Sequence, residues 1–226
     1  MATRTVTPEL PALSWVRLSL LVGAGLTCLW LAWGWEGLDR RVVRDGVTFL
    51  LLPTVLAIAH RRDLGWRIDR RALRNALLLA VFVLPFYVVG SSLPTIRAFY
   101  PMWGLSSASP EAFLPHAGKQ FLIVLAAETY YRGLLCVGVR EIGFKSVFIS
   151  PVVYAAAHAA KPPIELVLSG PTDVLFGAVD YQSGSIFPSV VAHGFGLILL
   201  DWLVLHPPLL GPDRVMGWLA WLPIPV

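Results

Sequence analysis

Glu128 and Arg132 stand four residues apart in the apolar run LIVLAAETYYRGLLCVGV, a spacing that puts a carboxylate and a guanidinium on one helix face within ion-pairing reach. Either charge left unpaired near the centre of a bilayer costs about 3 kcal/mol or more, so such groups pair and face a bundle interior or a wet cavity. The pair alone can also be a lock between helices. His158 closes a second run, ISPVVYAAAHAAKPP, behind three alanines that leave room for close helix approach. His193 stands inside a third, IFPSVVAHGFGLILLDWL, between Ala192 and Gly194, and its imidazole needs a partner. A Glu and two His at one depth suit a general-base hydrolase, a metal site or a proton relay, and spacing does not choose among the three. A His-Glu-x-x-His pair and a Gly-x-Ser-x-Gly elbow are both absent from the sequence.

The elements that must hold these groups are membrane helices. The 226 residues include only 14% charged ones, and the mean hydropathy is +0.68, far outside the range of soluble domains. Apolar runs cover roughly 15–35, 47–60, 75–90, 119–139, 144–160, 163–180 and 186–205, which predicts an all-α polytopic transmembrane helix bundle of about seven spans forming a single membrane domain over 1–226. The second run is short and contains Pro53, so a re-entrant or tilted element is the alternative there. Residues 1–14 are polar, and the run after them is too long for a signal-peptide core, so it reads as a retained first helix. RRDLGWRIDRRALRNA, with six arginines, reads as a cytoplasmic amphipathic helix in the headgroup region. Arg40, Arg41 and Arg44 then fall on the opposite side, against the usual charge bias. The stretch 91–118 reads as an external loop, and GWLAWLPIPV as an interfacial anchor. The net charge of +4 is topological and speaks for anionic headgroups rather than nucleic acid. Cys28 and Cys136 sit on different predicted helices as small hydrophobes.

The ordered set AETYYRG (127–133), YAAAH (154–158) and AHGFG (192–196) resembles the CPBP family of intramembrane glutamic proteases, related to CAAX-processing and bacteriocin-processing (Abi-like) proteins. The resemblance spans 119–205, the expected catalytic core, and the family motifs are Glu-Glu-x-x-x-Arg, Phe-x-x-x-His and His-x-x-x-Asn on three helices. Two positions depart: Ala127 stands at the first Glu and Leu197 at the Asn, which places the chain with a divergent single-Glu subgroup carrying Glu-Thr-x-x-Arg-Gly. In the family the first Glu and the second-motif His activate water, the second Glu pairs with the Arg, and the third-motif His with its Asn stabilises the oxyanion. By resemblance Glu128, His158 and His193 are then the catalytic candidates, with Glu128 taking over water activation alongside His158, Arg132 orienting Glu128, and His193 at the oxyanion. Tyr131, Asp201 and Glu165 are the supporting candidates. The reading implies an endopeptidase without metal or cofactor, whose partners are the lipid bilayer and a membrane-anchored protein or peptide: a C-terminal anchor or sorting segment, a leader, or a CAAX-type tail. The expected location is a bacterial inner membrane, with the site nearer the outer face. The rivals are an inert family-like scaffold, a metalloenzyme using Glu128, His158 and His193, and a proton-coupled carrier using Glu128, Asp173 and Asp201.

Overall fold

Charged side chains lie among apolar ones in the interior of this chain, and large apolar side chains cover its outside. In the computed structural model, which describes residues 14–34 and 36–224, Arg44, Asp45, Glu128, Arg132, Asp173, Asp180 and Asp201 are all 2% exposed or less, whereas Leu21, Leu31, Ile58, Leu77, Val81 and Val152 are all 60% exposed or more. In water such a coat would drive aggregation. In a bilayer it is the solvated face, and the helices associate through packing and polar contacts within. The described secondary structure is helical throughout, as lipid requires of a backbone that must satisfy its own hydrogen bonds.

The order is α1 (Trp15–Ala32), α2 (Gly37–Ala59), α3 (Arg70–Gly90), α4 (Pro94–Phe99), α5 (Pro110–Leu134), an irregular 3-10 segment (Val137–Phe148), α6 (Ser150–Ala157), α7 (Pro163–Ser183), α8 (Phe187–Val204) and α9 (Pro212–Leu219). By length and composition four described helices can cross a membrane, α1, α2, α3 and α8; a fifth span results if α5 and the 3-10 segment, bent by 75°, count as one. The sequence suggested about seven. The difference lies in 144–160, where the helix α6 has only eight residues, and in α7, which has 21 residues but carries Glu165, Asp173 and Asp180.

Other expectations shift with physical cause. The second run is no short re-entrant piece: α2 begins ten residues earlier than its apolar core and admits Arg41, Arg44 and Asp45, because Asp45 accepts from Trp30 Nε1 at 2.7 Å, from Arg41 at 2.5 Å and from Arg44 at 3.0 Å. Arg40, Arg41 and Arg44 therefore lie in a helix and not in a loop. The expected amphipathic helix at 61–76 is instead an irregular link followed by the start of α3. Asp69 caps α3 by accepting from Ala72 N–H at 2.8 Å, and that hydrogen bond, together with the nearby Arg67 and Arg71, holds its carboxyl below the usual range. The stretch 91–118 contains α4, a 3-10 turn at Met102–Gly104 and the first turns of α5. The tail forms α9. Both cysteines are free. The polar lead expected over 1–14 lies almost wholly outside the described residues.

Helices α3 and α8 pack along their lengths, and glycines set the spacing. A Cβ on Gly194 would come within 2.8 Å of the Phe121 ring on α5, and one on Gly196 would overlap the Tyr87 ring on α3. Both glycines belong to the AHGFG motif. Gly196→Ala is expected to cost about 1–3 kcal/mol by overpacking, read as a lower unfolding midpoint in detergent; an unchanged midpoint would mean that Tyr87 swings away freely.

Candidate active site

The centre of the bundle is built where α5 changes pitch. After Glu128 the helix continues as π turns over Thr129–Leu134, closed by Leu135 N–H to Tyr130 O at 3.2 Å; such bulges re-aim side chains and recur at functional sites. Tyr130 pins this segment, donating to Gly23 O of α1 at 2.8 Å and stacking on Phe49 of α2 at 4.4 Å. Arg132 is thereby held inside with 1% exposure.

Arg132 serves two carboxylates. Its Nε lies 3.4 Å from Glu128 Oε2, and its Nη1 donates to Asp173 Oδ1 of α7, whose other oxygen accepts from Ser150 Oγ at 2.6 Å. The guanidinium also lies over the Tyr154 ring at 5.3 Å, a contact that suits a desolvated arginine. Glu128 Oε1 meets His193 Nδ1 of α8 at 2.6 Å. Three motifs that are far apart in the chain therefore converge: Glu128 meets both Arg132 and His193, and Tyr154 of the second motif packs on the guanidinium.

His193 and His158 line one apolar cavity of about 250 Å³, walled by Phe82, Tyr87, Leu168 and Phe176 among others. His158 Nδ1 lies 2.8 Å from Tyr154 O. A carbonyl only accepts, so Nδ1 carries the proton and Nε2 is left as an acceptor. An ionised Glu128 imposes the same tautomer on His193. The cavity thus has two imidazoles whose Nε2 atoms are not committed to these contacts, an arrangement suited to proton transfer.

The supporting candidates divide. Glu165 lines the same cavity, 3.9 Å from His158 Nε2, and is held by Tyr100 Oη at 2.9 Å and Lys161 Nζ at 3.0 Å. Tyr131 packs edge-on against Tyr154 at 5.2 Å as part of a buried aromatic cluster. Asp201 does orient an imidazole, but that of His116, at 2.9 Å, with Gln120 also donating to it; it makes no hydrogen bond to His193 among the described residues. Asp173, considered in the sequence only as a carrier acid, turns out to share Arg132. Lys161 and Tyr100 were not singled out for the site at all. Their signal in sequence was faint: a lysine beside two prolines, and a tyrosine in a stretch read as loop. No group of three or more His, Cys, Asp or Glu side chains among the described residues is arranged to hold a metal ion.

Residues 112–197 match the family model described as type II CAAX prenyl endopeptidase Rce1-like. Over that stretch the chain is similar to the CAAX protease family. No curated protein and no solved structure matches it. The matched segment holds Glu128, Arg132, His158, Asp173 and His193 and ends at Leu197, so the whole convergent cluster falls inside it while the His116–Asp201 contact bridges out of it. With several helices long and apolar enough to cross a bilayer, this is an integral membrane protein.

Proposed function

We propose that the chain is an intramembrane endopeptidase that hydrolyses a membrane-tethered protein or peptide, such as a C-terminal anchor or sorting segment, a leader, or a CAAX-type tail. The observation that carries the reading is the 2.6 Å contact between Glu128 and His193 at the wall of an apolar cavity that His158 also lines.

Glu128 is fully buried and reaches the cavity through His193, which is 21% exposed. This reassigns the imidazoles relative to the resemblance. His193 Nε2 takes a proton from water as the water oxygen attacks the scissile carbonyl carbon, and Glu128 stabilises the imidazolium that forms. His158, whose Nδ1 proton is held by Tyr154 O, accepts at Nε2 from the same water and orients it for attack. The C–N bond then breaks, and the proton on His193 passes to the leaving amine. The step needs neither metal nor covalent intermediate, and Arg132 keeps the Glu128 carboxylate oriented.

The cavity draws on the C-terminal half of α3 and the N-terminal half of α7, while Arg62, Arg67, Arg70, Arg71 and Arg74 gather before and at the start of α3. With the arginine-rich end cytoplasmic, the cavity lies toward the outer face, which favours exported substrates and a bacterial inner membrane.

Purified protein in liposomes, offered prenylated C-terminal peptides and single-span peptides, should release defined fragments detectable by mass spectrometry. His158→Ala should lower kcat by about 10²–10⁴-fold, the range for losing general acid–base assistance, with KM little changed. Equal turnover in the variant would remove His158 from the chemistry. A second reading, an inert scaffold, draws on Ala127, which packs against the aromatic cluster where the family has its first Glu; it requires that no fragment appear from any substrate.

A further inference from the structure

A second pocket opens at the end of the bundle away from the cavity, between the start of α3, the 3-10 segment and the last turns of α7. Arg71, Arg140, Phe144, Val179, Tyr181 and Gln182 line it, and none of its lining residues is acidic. Nearby arginines have acidic partners: Arg62 meets Glu141 at 3.3 Å and Arg67 meets Asp69 at 3.6 Å. Arg71 and Arg140 form no salt bridge among the described residues.

The backbone draws these charges together. Gly184 ends α7 in the left-handed region at φ 63, and Arg67 Nη2 donates to Ser183 O at 2.6 Å. A Cβ on Gly184 would lie 2.7 Å from both Arg67 Nη2 and Arg140 Nη1, so the two guanidinium nitrogens are no more than twice that distance apart. Like charges so close repel unless a dipole or an anion offsets them. The C-terminal carbonyls of α7 supply part of the offset. Arg140 is held in place over the Tyr181 ring at 5.6 Å, and the surroundings are interfacial: Trp66, Ile68, Phe144 and Phe148 are each 48% exposed or more, as suits aromatic and aliphatic anchors at the headgroup level.

We propose that this pocket binds the phosphate of an anionic phospholipid headgroup. Guanidinium forks match phosphate oxygens bidentately, and the Phe144, Ala178 and Val179 wall accepts the first carbons below the headgroup, which a soluble anion would leave unused. The lipid bridges α3, the 3-10 segment and α7, and the other ends of α3 and α7 frame the apolar cavity.

The test uses the full chain in phosphatidylcholine nanodiscs with increasing phosphatidylglycerol, read by native mass spectrometry of retained lipid and by thermal unfolding. Wild type should retain phosphatidylglycerol in preference to phosphatidylcholine and gain stability from it. The exposed positions allow Arg71→Gln/Arg140→Gln to fold, and that variant should lose the preference by at least about tenfold. Arg70→Gln/Arg74→Gln, equal in charge but outside the pocket, should keep it. Arg140→Lys should lose part of the preference, since a point charge replaces a fork. Phosphatidylglycerol retained equally by the pocket variant, a loss just as large in the control variant, or equal stabilisation of wild type by millimolar inorganic phosphate would each overturn the proposal.

Discussion

Arg132→Met is expected to destabilise the protein by about 3–5 kcal/mol, the cost of breaking a buried ion pair by removing one partner. Arg132 is 1% exposed and is the cation between two carboxylates, Glu128 and Asp173, that are themselves 0% exposed. Methionine fills much of the volume, so the loss is electrostatic rather than a cavity. Adding Asp173→Asn to the variant should restore part of the stability, because one uncompensated charge is removed; the two changes share a partner and should be strongly non-additive. Unfolding followed by tryptophan fluorescence in detergent measures both. A midpoint equal to wild type would mean that water reaches the cluster in the folded protein.

Glu128→Gln is expected to lower kcat by about 10²–10⁴-fold, the range for losing general acid–base assistance, while the chain stays folded. Glutamine keeps an oxygen that can accept from His193 Nδ1–H but removes the charge that stabilises imidazolium. KM should change little, since Glu128 is buried and is not among the residues lining the cavity. A fall in binding with kcat preserved would instead make Glu128 a structural partner of Arg132.

The membrane class was legible because composition alone decides it: a chain with so few charges and so many long apolar runs has nowhere to place them in water. The Glu128–Arg132 contact was legible because helical spacing fixes it locally. His193 could be named but not joined to Glu128, since their contact crosses 65 residues and depends on which faces of α5 and α8 meet, a choice made by Gly194 against Phe121. The partner of Asp201 was hidden for the same reason: His193 lies two turns away in sequence, whereas the packing of α5 on α8 presents His116. Helix boundaries failed where polar groups are satisfied internally. Arg44 and Asp45 look like a loop in sequence and lie inside α2, because each has its partner within the bundle. The cavity lysine was missed because Lys161 is placed by the Pro162–Pro163 turn between α6 and α7, which a hydropathy scan treats as a gap.

Comparing membrane-protein sizes and released fragments in cells that carry wild type, Glu128→Gln or His193→Ala, at matched expression, goes directly to whether this chain cuts a tethered substrate with the Glu128–His193 pair. The same uncut species accumulating in both variants, and its fragment appearing only with wild type, is the expected result. Identical processing in all three strains would contradict it and leave the cluster as a lock between helices.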